Sequence, residues 1–252
     1  MTSSSNVEIA KTRRLRVWPL LLLLPLAVWG VTVVQTFGSA ALGALDDPDG
    51  YVWKLLLASE AMAFCLIAPL LLAVLASRVV DIEHTDGGWL LSSTAGVTPG
   101  SLLRAKFGVL GSLVALGTLV PTAGLAVFGL VIGVSAPFPT AQWLGFAAMT
   151  VVINLAVLAF HLVLSARVEN QLVGLAVGVV GILIATFSQV FPPWAAHLIP
   201  WGYYGLATPA DFVGTDLVWF DVSYASGLAL ALAIAGAVLF GVVTRRFDRL
   251  EG

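Results

Sequence analysis

The sequence predicts an all-α membrane protein with six transmembrane helices, and three observations lead to that fold class. Of the 252 residues, 59% are hydrophobic and only 10% are charged, whereas about a quarter are charged in an ordinary soluble domain. Six apolar stretches are long enough to cross about 30 Å of hydrocarbon. Basic residues gather in alternate connections between them, which is typical of polytopic membrane proteins. We therefore treat residues 1–252 as a single transmembrane domain.

The chain begins with a polar and then basic segment at 1–16, which we predict to lie at the membrane interface. The apolar stretch at 18–37 is too long for the apolar region of a secretory signal peptide, so we expect an uncleaved first span. Five further spans are predicted, at 53–80, 106–134, 142–166, 171–190 and 222–244.

The distribution of charge predicts the orientation. With the N-terminus inside the cell, eleven of the twelve Lys and Arg residues fall in segments predicted to be cytoplasmic, and Lys54 falls outside. Because basic residues favour the cytoplasmic side, we expect both termini there and an even number of spans. Arginine outnumbers lysine nine to three, a bias typical of GC-rich bacteria. We therefore expect a multi-pass protein of a bacterial plasma membrane.

The longest polar interruption on the predicted cytoplasmic side is the turn at 81–105, just before the third span. Three acids lie in its first part: Asp81, Glu83 and Asp86. Gly88 marks a first break and Pro99 a second, so we predict a short helix between them, lying along the membrane face. Its apolar residues are Trp89, Leu90 and Leu91. That apolar side would be free to dock into a soluble partner.

Three polar residues inside predicted spans are candidates for a substrate path. Glu60 is an acid within a span, and such a group is costly and usually faces a cavity or a partner. It belongs either to a substrate path or proton relay, or to the structure as a hydrogen-bonded acid. His161 is either functional or a histidine at the headgroup boundary, and Asn154 should bond across to another helix. Glu60 and His161 lie roughly 10 Å or more apart in depth, so we predict that the three do not converge.

Gly174 and Gly178 in the fifth span stand four residues apart, a spacing that lets two helix backbones approach closely. The pair predicts a helix–helix contact between two copies of the chain, although such pairs also arise by chance in a chain with 25 glycines.

The connection at 191–221 combines prolines with many aromatic residues. Trp and Tyr concentrate at membrane interfaces, and irregular backbone at membrane depth is tolerated only where protein or a cavity shields it. We therefore predict a pair of short re-entrant or interfacial helices on the outer side. Two roles stay open for this segment: a lid over the outer end of a pathway, and an aromatic anchor.

The sequence lacks the motifs of several enzyme classes. It contains no Gly-rich loop ending in Gly-Lys-Ser or Gly-Lys-Thr, no H-E-x-x-H pair and no G-x-S-x-G turn. It also lacks the basic tract that a nucleic-acid partner requires. We predict no catalytic residue, no metal site and no cofactor on this chain. Any ATP-dependent step would therefore need another chain to bind the nucleotide.

Six spans, both ends inside and a long outer segment before the last span resemble the permease subunits of type-2 ATP-binding-cassette exporters. In the first cytoplasmic turn those permeases often carry an acid, glycine, a short apolar helix, proline and a basic residue. The matching residues here are Glu83, Gly88, Trp89, Leu90, Leu91, Pro99 and Lys106. The chain is most similar to the branch that includes lantibiotic-immunity and bacteriocin-export permeases.

This resemblance implies a separate cytosolic ATPase dimer that carries ATP and Mg, with residues 83–97 as the coupling helix seated in it. It also implies a second copy of this permease, or a related one, paired through the first and fifth spans within the lipid. The expected function is export of an amphipathic or hydrophobic peptide, lipid or drug. Two alternatives stay open: a non-transporting membrane sensor or assembly partner, and a membrane-embedded enzyme acting on lipid.

Overall fold

The computed structural model describes residues 17–38, 40–85, 87–221 and 225–250, so the predicted interfacial segment at 1–16 lies outside the described residues. Six of its helices are long and apolar enough to cross a membrane, which confirms the predicted all-α class and number of spans. These helices are α1 (Val17–Phe37), α2 (Tyr51–His84), α4 (Pro99–Val131), α5 (Thr140–Arg167), α6 (Gln171–Phe187) and α9 (Ala225–Leu250).

Local chemistry explains where two of the long helices begin and end. Before α2, Gly50 adopts a left-handed backbone with φ 69°, which glycine tolerates at no steric cost. Before α4, the Thr98 side chain accepts a hydrogen bond from the Ser101 N–H, and Pro99 occupies the first helical turn. A threonine cap followed by proline is a favoured helix start. As a result α4 begins seven residues earlier than the predicted third span.

Helix α2 forms the centre of the bundle. It packs against α1, α4, α5 and α6. Of the 18 consecutive residues that form its most apolar stretch, 72% are buried within the protein. Helix α9 instead lies at the edge and packs against α4 and α5. In its own most apolar stretch of 18 residues, 17% are buried. Val222, the predicted start of the last span, lies outside the described residues.

The fifth-span glycines lie inside the chain's own packing. A Cβ on Gly178 would stand 2.8 Å from the Ala73 Cβ and 3.2 Å from the Leu70 Cα, so α6 and α2 meet at this glycine. Gly174 is buried as well, and its nearest neighbour is the Ser165 hydroxyl. A close approach of the kind that the glycine spacing predicts therefore occurs at Gly178 between two helices of one chain, and a contact between copies through these glycines stays a prediction.

The connection at 191–221 contains two short helices, α7 (Pro193–Ala196) and α8 (Tyr203–Ala207), as the sequence predicts. It also contains an antiparallel hairpin of β1 (Ala210–Val213) and β2 (Asp216–Trp219), which the sequence analysis did not predict. The hairpin turns at Gly214, where φ is 66°.

The connection reaches deep into the bundle. The Trp201 ring lies 5.8 Å from the His161 ring, and His161 stands six residues, or about 9 Å, from the Arg167 end of α5. The segment therefore runs back along α5 to within a third of that helix's far end. We call residues 191–209 the re-entrant segment.

Candidate functional site

The predicted coupling turn folds as a seven-residue helix, α3 (Gly88–Thr94), between the ends of α2 and α4. Gly87 precedes it with a left-handed φ of 70°. Gly88 is required by close approach, because a Cβ there would stand 2.7 Å from the Ile82 carbonyl oxygen and 2.8 Å from the Glu83 Cα. Asp86, one of the predicted acids of the turn, lies outside the described residues.

Glu83 lies in the last turn of α2 and not in the short helix, which corrects the boundary of the predicted coupling helix at 83–97. Its Oε1 stands 2.8 Å from the Lys106 Nζ in α4, and both side chains are almost fully buried. Lys106 also donates a hydrogen bond to the Val79 carbonyl oxygen at 3.1 Å. This buried ion pair, with its added hydrogen bond, ties the end of α2 to the start of α4.

Trp89 packs back onto its own chain. Its ring makes an edge contact with His84 at 5.7 Å, and its Nε1 lies 3.4 Å from the His84 Nδ1. The other ring nitrogen of His84 bonds to the Ser165 carbonyl oxygen at 2.9 Å. The indole is thereby held against α2 through a histidine that is itself bonded to α5, and it is only partly available to a partner.

Leu90 and Leu91 behave differently from Trp89. Leu90 is 71% exposed and Leu91 is 73% exposed, at the end of the molecule where the turn projects. Two adjacent leucines on a short helix, held by a buried ion pair beneath, form a small apolar knob. Single exposed leucines need no explanation, but an adjacent pair on a projecting helix between two spans is suited to a protein contact.

The second half of the turn rests on α9. Pro99 is buried, and a Cβ on Gly100 would clash with the Thr244 carbonyl oxygen and the Asp248 carboxylate. One turn on, the Arg104 guanidinium forms a 3.0 Å ion pair with Asp248. It also donates to the Thr244 hydroxyl at 3.1 Å. The turn is thus attached to α2 through Glu83 and to α9 through this partly exposed pair.

A second set of polar residues lies inside the bundle. The Thr122 hydroxyl in α4 stands 2.7 Å from the Glu60 Oε1 in α2 and 3.0 Å from the Thr118 carbonyl oxygen. All three side chains are buried. Among the described residues, the Glu60 Oε2 has no hydrogen-bond partner. Glu60 is therefore joined through one carboxylate oxygen to the middle of α4.

The same set continues into α5 and the re-entrant segment. The Asn154 amide donates to the Thr118 hydroxyl at 2.8 Å, and the Tyr204 hydroxyl donates to the Asn154 carbonyl oxygen at 2.5 Å. Asn154 thus bonds across helices, as the sequence predicts. We call Glu60, Thr122, Thr118, Asn154 and Tyr204 the polar chain. It links Glu60 and Asn154 through two threonines, a connection that the sequence did not predict.

His161 stays apart from the polar chain. Its ring is fully buried and makes edge contacts with Phe160 at 5.4 Å and with Trp201 at 5.8 Å. Within the part of the chain that the structure describes, neither of its ring nitrogens has a hydrogen-bond partner. It is buried beneath the re-entrant segment, and a functional role for it stays a prediction.

Three members of the polar chain were missed in the sequence analysis: Thr118, Thr122 and Tyr204. Thr118 and Thr122 stand four residues apart in a predicted span, so they share one helix face. That spacing was a usable signal. Tyr204 gave none, because nothing in an aromatic connection indicates which ring turns inward. Among the described residues, no group of three His, Cys, Asp or Glu side chains is placed to hold a metal ion.

The geometry offers mechanical connections at two levels of the bundle. At one end, an apolar knob stands on a turn attached to α2, α4 and α9. In the interior, hydrogen bonds connect α2, α4, α5 and the re-entrant segment. A model of the ABC-2 family transporter proteins matches residues 6–186. No curated protein matches the chain.

Proposed function

This chain belongs to the ABC-2 family of transporter membrane proteins, and we propose that it is the permease subunit of an ATP-binding-cassette exporter. The proposal places ATP and Mg on a separate cytosolic ATPase dimer. It gives this chain no catalytic residue and assigns it the path for the substrate. The observation that carries it is the exposed Leu90–Leu91 knob, set on a turn that is attached to three spans.

In this proposal α3 is the coupling helix, and Leu90 and Leu91 are its principal contacts with the ATPase. Trp89 contributes mainly by holding α3 against His84, since its indole contacts the chain itself. Glu83, Gly88 and Pro99 act as positioning residues: their buried contacts set where α3 sits.

Motion of the knob would pass to the spans through two connections. The buried Glu83–Lys106 pair leads to α2 and α4, and the Arg104–Asp248 pair leads to α9. We infer that the ATPase drives alternating access by moving α3, and that the polar chain carries the movement from α2 to the re-entrant segment. The re-entrant segment would then act as the outer lid.

The proposed cargo is an amphipathic or hydrophobic molecule, such as a peptide, lipid or drug. The lining of the bundle supports this class, since the buried side chains are mostly apolar and few charges lie within the spans. The resemblance to lantibiotic-immunity and bacteriocin-export permeases makes peptides the first substrates to screen.

We further propose cytoplasmic N- and C-termini in a bacterial plasma membrane, with two permeases per transporter. Because the small face of α6 around Gly178 already packs on α2, any pairing through α6 would use its other face. The exposed residues there include Val179, Val180 and Leu183.

The test is co-purification with an ATP-binding-cassette ATPase from the same genome, beginning with any encoded beside this chain. The double variant Leu90→Ala/Leu91→Ala removes roughly 2 to 4 kcal/mol of apolar burial from the proposed contact. Association should therefore weaken by about tenfold or more, measured as ATPase retained on tagged permease in lipid nanodiscs.

Leu172→Ala is the matched control. Leu172 is 70% exposed and begins α6, beside the Arg167 end of α5, so it has the same residue type and exposure and is predicted to lie on the same membrane side. The control should retain the ATPase. Equal retention by wild type, the double variant and the control would reject α3 as the coupling helix. Absence of any associating ATPase in several lipids would reject the permease proposal itself.

A further inference from the structure

A cavity of about 320 Å³ lies between α5, α9 and the re-entrant segment. A second cavity of about 220 Å³ lies between α4, α5 and α9. The two share five lining residues, Ala156, Ala159, Leu232, Gly236 and Phe240, so they adjoin along the same pair of helices. Together they form one groove, which we call the α5–α9 groove. Its volume is of the size that small-molecule sites occupy in proteins.

The groove lies at membrane depth. Its lining on α5 runs from Val152 to Val163, and α5 is 28 residues long, or about 42 Å. The lining therefore runs from the middle of that helix to about 6 Å, or about one turn, from its Arg167 end. At this depth the surroundings are hydrocarbon, so a molecule in the groove would come from the lipid and would have to be largely apolar.

The lining is apolar with a polar exception at one edge. Small and aliphatic side chains of α5 and α9 cover most of it, which suits a flexible hydrocarbon chain. His197 and Tyr203 of the re-entrant segment stand at the edge, with their rings 5.4 Å apart. Both carry hydrogen-bonding groups, and none of the described residues that line the cavity is an acid. An ionisable residue beside an intramembrane cavity is a functional-site hypothesis by default.

We propose that the α5–α9 groove binds a single-chain amphipath with a carboxylate head, its hydrocarbon chain between α5 and α9 and its head at His197. The imidazole and the Tyr203 hydroxyl supply hydrogen-bond donors to the head group. Phe160 also lines the groove, and its ring contacts Trp201 at 5.1 Å. Binding would therefore act directly on the re-entrant segment.

This inference deepens the proposed function and rests on it only in treating the bound molecule as cargo. Binding itself is measured on the permease without any ATPase. If no ATPase associates with the chain, the proposal of a binding groove is unaffected. If no amphipath binds in the groove, the permease proposal is unaffected.

The experiment uses a photoreactive palmitic acid, with the alcohol of the same chain length as a second probe, on purified protein in nanodiscs. We expect labelled peptides from α5, α9 and the re-entrant segment, with competition by unlabelled palmitic acid. Labelling spread evenly over the lipid-facing helices would overturn the proposal.

Gly236→Leu tests the place of the hydrocarbon chain. A Cβ at Gly236 would stand 3.9 Å from the Ala156 Cβ, so the first atom fits and the rest of the leucine fills the groove. Labelling should fall by about tenfold. Gly241→Leu is the matched control, since it makes the same substitution in α9 at a glycine with open space around it. Equal labelling of the two variants would reject the site.

His197→Phe tests the head group while keeping a ring in place. Losing a hydrogen bond to a charged group should cost about tenfold in affinity for the acid, with little change for the alcohol. The measured quantity is the ratio of the two probes' competition constants. An unchanged ratio would reject His197 as the head-group contact.

Discussion

The second and last spans have the same mean hydropathy but opposite places in the fold. In the most apolar 18-residue stretch of α2, 72% of the residues are buried within the protein, whereas in the corresponding stretch of α9 17% are buried. Helix α2 is attached by a buried ion pair, a hydrogen-bonded acid and a glycine contact. Helix α9 has a glycine contact too, at Gly100 of α4, but its ion pair is partly exposed and lies near one end. Hydropathy thus indicates that a helix can span the membrane. The polar and small residues at its contacts determine whether it lies at the centre of the bundle.

The largest effect is expected at the buried pair of α2. Lys106→Met removes the ammonium group that stands 2.8 Å from the buried Glu83 carboxylate, and with it the donor to the Val79 carbonyl. Breaking a buried pair in this way costs about 3 to 5 kcal/mol. Unfolding followed by intrinsic fluorescence in mild detergent should show the loss.

The matched control for that pair is the double variant Glu83→Leu/Lys106→Met, which removes both charges. Replacing a buried ion pair by apolar residues is often neutral, so this variant should recover most of the lost stability. If Lys106→Met alone is as stable as wild type, the pair does not hold α2 to α4.

The next effect concerns the glycine contact between α6 and α2. Gly178→Val places new atoms within 2.8 Å of the Ala73 Cβ, and overpacking of this kind costs about 1 to 3 kcal/mol. Thermal stability measured by size-exclusion chromatography after heating should fall. Gly241→Val in α9, where the space is open, should change little; an equal loss in both variants would mean that valine itself, not the contact, is responsible.

A similar or smaller effect is expected at the polar chain. Tyr204→Phe removes the hydroxyl that bonds to Asn154 and leaves a buried amide oxygen without this donor, at a cost of about 1 to 3 kcal/mol. We expect faster proteolysis of the re-entrant segment as well as lower stability. Tyr203→Phe is the control, since Tyr203 lies outside the polar chain. Equal protease resistance of Tyr204→Phe and wild type would argue against the chain as the attachment of this segment.

The smallest effect is expected at the edge helix. Arg104→Ala removes a pair whose side chains are 41% and 22% exposed, and exposed pairs contribute about 0 to 1 kcal/mol. Its stability should stay near that of wild type, in contrast to Lys106→Met two residues away. A loss of stability as large as that of Lys106→Met would show that α9 is held as firmly as α2. The proposed difference between the two helices would then be wrong.

Much of the fold could be predicted from the sequence because the requirements of a hydrocarbon solvent are local. Each span must satisfy its own backbone hydrogen bonds and present apolar side chains. A span can therefore be predicted from a stretch of about 20 residues. The breaks at Gly88 and Pro99 could also be predicted, because they depend on the local residues alone. The hairpin of β1 and β2 was not, since its strands are short and lie within an aromatic connection.

The candidate site was predicted only in part. Leu90 and Leu91 are exposed on a short helix, as the pattern of breaks indicates. Glu83 gave no sign that it would be buried, because its partner Lys106 lies 23 residues away. Glu60 likewise depends on Thr122, 62 residues further along the chain.

By itself, the sequence determined the class, the number of spans, and the position of the turn between the second and third, because these follow from neighbouring residues and from the solvent. The tertiary structure decided which span lies at the centre and where Gly178 packs. It also decided which polar groups join, and that the outer segment enters the bundle. These depend on contacts between residues far apart in the chain, and every apolar span can bury its surface against lipid as readily as against another helix. Specific close packing and buried hydrogen bonds therefore make the choice.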